Sequence, residues 1–450
     1  MKKYAVFFAV LFCMAGIVTY PQSLGDYAKD EQKRREVVPG STVIVLESER
    51  PVVPDETVTN ADGAEQNGAG SGFQISAAVN AFAIDVYRQL ATEGGNLFFS
   101  PYNISSALAM AYAGAKGDTA AEMAKALRFT GRAMEIHEAM KSLNDRFNSI
   151  SHEEGLLEAA NGLWFDELVQ IIPSYEALIR ENYDAEAKTV DFSSKPKESE
   201  RMINEWVALK TRHKIRDVLN GYVTNYTKMV LVSAIYFNSV WLDPFIGART
   251  KIESFRARNG QEHDVSMMRR TGNYLYGENS EVQWVKIPYK IPGFSMLILL
   301  PRENDSFTQM AELEKKLTPN LLASWMAGMR NMEVALSMPK FKHDRSFSLT
   351  DMLQKLGVNA AFDIKKADFS GMALQQGDDR LFIDSVIHQA FIEVDEKGTE
   401  AAAATAVIVT QGAVPEPPPI EFNADHPFIY CIVDDNAGGL IMFMGRMEQP

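Results

Sequence analysis

Cysteine is almost missing: Cys13 and Cys431 are the only two in 450 residues. That excludes a cysteine-built metal site and argues against an internal disulfide, and a chain of this length does not need one to build a core. Positive charge is also short. Forty-five Lys and Arg against 59 Asp and Glu leave a formal charge of −14, which argues against a nucleic-acid-binding surface and against electrostatic adhesion to anionic lipid. Catalytic signatures are absent too. There is no G-x-S-x-G elbow, no H-E-x-x-H and no Walker loop. Ser194-Lys195-Pro196-Lys197 has S-x-x-K spacing but lies in a polar, proline-containing stretch instead of opening a helix. The seven histidines are scattered, with no close pair to share a metal. His388, flanked by Ile387, Ala390 and Phe391, reads as a hydrogen-bonded core histidine in preference to a general base. No enzyme activity, metal or cofactor is expected.

After residue 18 no apolar run is long enough to span a bilayer. Before it, Met1-Lys2-Lys3 and the run Tyr4 to Val18 have the pattern of an export signal, or of an uncleaved anchor. Phe12 precedes Cys13 where a lipoprotein signal needs a small residue, so lipidation is discounted. Residues 1–20 are therefore read as signal peptide or anchor, and the protein as secreted or otherwise extracytoplasmic, with a membrane tether at its N-terminus as the alternative. Residues 21–72 hold Pro39, Pro51, Pro54, many acids and Asn67-Gly-Ala-Gly-Ser-Gly72; such sequence cannot bury enough surface to fold alone and reads as a disordered linker. Thr42 to Leu46 is its one apolar patch.

Residues 73–450 carry no repeat and no second linker, so they read as one large domain. Val79, Phe82, Ala83, Val86, Tyr87 and Leu90 share a helical face, Ile104 to Ala113 is an apolar helix, and Glu198 to Thr211 reads as a helix with Ile203, Trp206 and Leu209 inward. Strand-like runs follow at Met229 to Phe237, Ser295 to Leu300, Met332 to Met338 and Phe391 to Val394. Phe428 to Val433 and Leu440 to Met444, joined by Asp434-Asp-Asn-Ala-Gly-Gly439, form a hairpin signal. Helices come first and strands later, without βαβ alternation, which makes the class α+β. Cys431 sits inside one of these apolar strands as core.

The segment Glu393 to Phe422 is unusual. After Asp395-Glu-Lys-Gly398 comes Thr399-Glu-Ala-Ala-Ala-Ala-Thr-Ala406, then Val407-Ile-Val-Thr410, Gln411-Gly-Ala-Val414 and Pro415-Glu-Pro-Pro-Pro419. An Ala-rich helix, a strand and a polyproline turn would fit locally. A long apolar loop, however, is more often functional.

Here the chain resembles a serpin. Asn96-Leu-Phe-Phe-Ser-Pro-Tyr-Asn-Ile-Ser-Ser-Ala-Leu-Ala-Met110, Gly114 to Thr119, Ile203-Asn204, Ala234-Ile-Tyr-Phe-Asn238 with Trp241, Asp425-His-Pro-Phe428 and the hinge-like Asp395 to Ala404 occur in the family's order. The resemblance covers residues 73–450. It implies a fold of three β-sheets with about eight to nine helices and an exposed reactive-centre loop. It also implies a suicide-substrate mechanism: a protease cuts the loop, and the loop inserts into the main sheet while the acyl-enzyme persists as a covalent complex. A monomer is expected.

The residue chemistry agrees with insertion. In a strand, Thr399, Ala401, Ala403 and Thr405 share one face, all small and uncharged, and Glu400, Ala402, Ala404 and Ala406 share the other. A bulky or charged residue on the first face would overpack the sheet or bury an unpaired charge. Gly398 frees the backbone to turn into the sheet, and Pro415 cannot donate a ladder hydrogen bond, so insertion ends before it. Residues 399–412 as a strand would reach roughly 46 Å. The resemblance also assigns the hinge (Glu396, Gly398, Thr399, Glu400, Ala401, Ala402, Ala403, Ala404), a shutter where the sheet opens (Ser100, Asn103, Asn204 and His388), an ion pair between Glu396 and Lys340, and Trp241 near the first insertion point. Asn103 stands where the family often has Ser. Counting from Glu396 places the reactive bond at Gly412–Ala413, with Thr410, Gln411 and Val414 open as alternatives. A small residue before the bond suits an elastase-like or subtilisin-like serine protease, and no Lys or Arg between Lys397 and Pro419 serves a trypsin-like one. A cross-class inhibitor of papain-like cysteine proteases and a non-inhibitory binding module remain the other readings.

Overall fold

A computed structural model describes residues 67–150, 155–302, 306–374, 380–399 and 417–450, all within one compact unit, Ala64–Pro450. The described residues contain nine helices. They are α1 (Asn67–Leu90), α2 (Pro101–Gly114), α3 (Gly117–Ala126), α4 (Ala133–Asn148), α5 (Pro173–Tyr183), α6 (Pro196–Lys210), α7 (Ser306–Lys316), α8 (Pro319–Ala327) and α9 (Thr350–Lys355). Three sheets accompany them. The largest has nine strands: β1 (Leu97–Phe99), β6 (Lys251–Arg256), β7 (Glu262–Glu278), β8 (Val282–Pro288), β9 (Phe294–Pro301), β10 (Arg330–Pro339), β15 (Ile420–Asn423), β16 (Phe428–Asp434) and β17 (Leu440–Met447). A small pair joins β3 (Gln170–Ile171) to β12 (Ala373–Leu374). The third sheet positions the site. It runs β11 (Phe341–Ser348), β13 (Ser385–Val394), β14 (Gly398–Thr399), β5 (Met229–Val240), β2 (Gly155–Asp166), β4 (Glu186–Val190).

Every run predicted as a strand lies in one, although β13 begins at Ser385, six residues before the predicted Phe391 to Val394; both faces of the central sheet are covered. In β5, Met229, Leu231, Ile235 and Phe237 enter the main core, which is shared with the nine-stranded sheet, α1 and α2. The alternate residues Val230, Val232, Ala234 and Tyr236 enter a second cluster with α6 and the segment 211–223. An uninterrupted apolar run is what a strand buried on both faces requires. The β16–β17 hairpin closes through Asp434 to Gly439, where Asp434 caps the turn through Asn436 N–H and Gly438 and Gly439 take positive φ. Cys431 is fully buried there, and burial pushes its thiol up to about 12. In α1, Val79, Phe82, Ala83, Val86 and Tyr87 are fully buried, as their spacing predicts.

Two expectations shift. Helix α1 begins at Asn67, so the last six residues read as linker are helical; propensity alone undervalued a glycine-rich start that a long helix continues through. Leu209 points outward from α6 at 68% exposure, while Ile203 and Val207 face the sheet. Residues 1–66, with the signal-or-anchor reading, most of the linker and the Thr42 to Leu46 patch, lie outside the described residues.

Candidate functional site

The site is the seam between β5 and β13. Over most of their length the two strands pair directly and in parallel, from Ser385 against Val230 to Phe391 against Tyr236. Above that point β14 stands between them. Thr399 pairs with Val394 of β13 and with Ser239 of β5, and Gly398 pairs with Val240. The first two residues of the loop are thus already a strand of the sheet.

A tight reversal makes this possible. Asp395 Oδ1 accepts from the N–H of Lys397 and of Gly398, and Asp395 N–H donates to Gly398 O. Gly398 is required by close approach: a Cβ there would lie 2.2 Å from Ser239 O and 2.5 Å from Val240 Cα. Trp241 binds the turn twice, its backbone N–H donating to Lys397 O and its indole N–H to Asp395 O, and its ring stacks on Tyr289 at 4.5 Å. Glu396 lies 2.5 Å from Lys340 Nζ and accepts from Thr250 Oγ1 at 2.8 Å. Burial raises the Glu396 carboxyl, but the bonds from Lys340 and Thr250 outweigh it and hold the group below its ordinary value. Thr399 is fully buried, with its hydroxyl 2.8 Å from Tyr289 OH. Its side chain therefore enters the main core, the face inferred from the alternation. Glu400, Ala401, Ala402, Ala403 and Ala404, and the bond Gly412–Ala413, lie outside the described residues.

Farther down the seam, polar side chains join the strands to helix α2. Ser100 caps α2, its hydroxyl accepting from Asn103 N–H and donating to Met442 O. Ser100 N–H donates to His388 Nε2 at 3.0 Å, and His388 Nδ1 lies 3.1 Å from Ser233 Oγ of β5. Accepting on Nε2 leaves the proton of the neutral ring on Nδ1. Asn103 Nδ2 donates to Ser233 Oγ, and Asn161 of β2 donates to Asn103 Oδ1. Asn103 thus ties α2 to two strands, with a second amide arm that a serine lacks. Burial pushes His388 down to about 3, slightly opposed by the Ser233 backbone, so the ring is neutral and structural, as its apolar flanks suggest.

Asn204 is not part of this network. It lies on α6, where Nδ2 donates to Leu219 O and Oδ1 accepts from Leu219 N–H; it fastens the segment after α6. Ser233, Asn161, Tyr289 and Thr250 escaped the sequence reading. Ser233 and Asn161 had a signal, each being the polar residue of an otherwise small or apolar strand stretch. Among the described residues no group of His, Cys, Asp and Glu could hold a metal ion.

A sheet whose seam admits the start of the following loop defines a class of protein, and the comparisons agree on which. The family model for Serpin (serine protease inhibitor) matches residues 77–450. The chain belongs to the serpin family. It is 39% identical over 386 residues to the leukocyte elastase inhibitor of Bos taurus, covering 84% of this chain and all of that one. It is 38% identical over 374 residues to an uncharacterized serpin-like protein of Thermococcus kodakarensis, covering 83% and 85%. Among solved structures, a highly specific serpin of the insect Tenebrio molitor superposes with a TM-score of 0.74 at 30% identity, covering 86% of this chain and all of that one. The α+β architecture with three sheets is that of the family.

Proposed function

We propose that this protein is a suicide-substrate inhibitor of serine proteases with small specificity pockets, of the elastase or subtilisin kind. A protease cuts at Gly412–Ala413, the new end of the loop is drawn into the β5–β13 seam, and the acyl-enzyme is carried along before it hydrolyses. The observation that carries this reading is β14: Gly398 and Thr399 already occupy the seam, with Thr399 on the core face. The small residues that follow can continue the same strand. Relatedness to leukocyte elastase inhibitors supports the choice of target class, as does a loop without Lys or Arg beyond Lys397. The protein acts as a monomer outside the cytoplasm, secreted or held by its N-terminal segment.

The test is direct. Mixed with elastase or subtilisin, the protein forms an adduct that survives boiling in detergent, and mass spectrometry of the released peptide places the cut at Gly412–Ala413. Complete turnover of the protein as an ordinary substrate, with no adduct for any serine protease tried, contradicts the proposal.

A further inference from the structure

The segment 211–223 runs across the outer face of the central sheet and is fastened at both sides of the seam. Arg212 binds Glu158 of β2 at 2.8 Å, Asn204 grips Leu219 through two hydrogen bonds, and Ser346 of β11 donates to Val218 O at 3.3 Å. Arg212 and His213 both take positive φ, which turns the chain sharply at the start of the crossing. Ile215, Val218 and Leu219 then pack in one cluster with Val230 and Val232 of β5 and Ile387 and Phe391 of β13.

One contact bridges the seam itself. Lys214 Nζ lies 5.9 Å from the Tyr236 ring centroid and 5.7 Å from that of Phe391. Tyr236 and Phe391 are register partners on the two strands, with ring centroids 6.0 Å apart. They form the last direct pair below β14. Continuing the β14 ladders by three residues gives the same answer on both sides: Ala402 arrives between Tyr236 and Phe391. The strand cannot pass this row until that pair parts and Lys214 releases at least one ring. The face of the entering strand opposite Thr399 is therefore roofed rather than solvent-facing, which gives Ala402 its own reason to be small.

We propose that Lys214, held across the Tyr236–Phe391 pair, is a positioning residue that opposes insertion of the loop past that pair and sets the rate of its further insertion. This rests on the insertion reading above. A cation held over two partly desolvated rings must be separated from one of them in the transition state. In the inserted form the rings stand apart, so the contact slows passage without stabilising the product.

The experiment measures uptake of a synthetic peptide with the sequence of residues 399–412 by the intact protein, followed as gain of heat resistance. Lys214→Met, which keeps the stem and loses the charge, and Phe391→Leu, which keeps bulk and loses the ring, should each accelerate uptake by about five-fold. Lys214→Arg should retain the wild-type rate. The melting temperature of the loop-cleaved form should be the same in the wild type and the two Lys214 variants, which a merely structural role would not give; Phe391, being buried, is read by uptake rate alone. Equal uptake rates in wild type, Lys214→Met and Phe391→Leu overturn the proposal while leaving insertion intact. A wild type that neither takes up peptide nor gains heat resistance on cleavage overturns insertion itself, and the role of Lys214 with it.

Discussion

The two halves of one seam differ in kind. At the top, β5 and β13 are parted and a guest strand supplies what each lacks: Gly398 and Thr399 make the ladder, and the Thr399 hydroxyl meets Tyr289. Below, the same two strands pair with each other, and their buried polar groups are matched to α2 through His388, Ser233, Asn103 and Ser100. Hydrophobic burial does not distinguish the halves, since both contain fully buried residues, Thr399 above and His388 below. The distinction lies in who satisfies the hydrogen bonds. A buried donor or acceptor left unmade costs about 1–3 kcal/mol, so the sheet opens only as far as an incoming strand replaces each bond.

The largest expected break in this comparison comes from Thr399→Arg. It places a charge in a fully buried position against Tyr289, where an unpaired ion costs several kcal/mol or forces the strand out. The upper seam should close or stay empty, and the protein should become a substrate. Moles of inhibitor consumed per protease trapped, read from adduct and cleaved bands, should rise at least about ten-fold, since 1.4 kcal/mol already changes a partition by that factor.

Acid should separate the halves. His388 is held down to about 3, and His137 and His343 to about 4, each mainly by burial. Because the folded values lie below the ordinary 6.5, the unfolded chain binds more protons as pH falls through 6.5. Folding stability therefore declines from there toward pH 4, by up to about 1.4 kcal/mol per pH unit for each histidine. Glu396 behaves oppositely in range: its carboxyl is held below 4.5, so its contribution is intact above that value and is lost only as pH falls through it. Between pH 6.5 and 5 the lower seam should weaken while the hinge holds. Hydrogen exchange across this window should show faster opening of β13 near His388 with no change at Asp395 to Thr399; the reverse order would contradict the assignment.

A smaller effect follows from Asn103→Ala, which strips Ser233 and Asn161 of a buried partner. The native form should lose about 2 kcal/mol in denaturant titration. Asn103→Ser should recover only part of this. A ΔΔG under a few tenths would show that α2 does not hold the lower seam. The smallest effect is at the hinge ion pair. Lys340 is 38% exposed, and a screened pair is worth at most about 1 kcal/mol, so Lys340→Met should shift the melting temperature by only a degree or two.

Much of this was legible beforehand for physical reasons. The β16–β17 hairpin had its turn residues, β5 had an apolar run too long to be half exposed, and Thr399, expected to be core-facing, is buried against Tyr289. The Lys340–Glu396 contact was legible through family resemblance. What could not be read is pairing across distant segments. Asn204 looks equally polar wherever it points, and only the fold shows it gripping Leu219 instead of His388. Ser233 and Asn161 are isolated polar residues within apolar stretches of their strands, and their importance depends on how those strands lie against α2. Leu209 is six residues after Ile203, about 120° around the helix from it, whereas Val207 at the fourth position stays on the buried face.

The central claim is that the native sheet holds room for the rest of its own loop. Calorimetry of the protein before and after a single elastase cut in residues 409–414 tests it most directly. A rise in melting temperature of more than about 10 °C, the scale of several kcal/mol of released strain, is the predicted result. An unchanged melting temperature, with the cut confirmed by mass, would contradict the account.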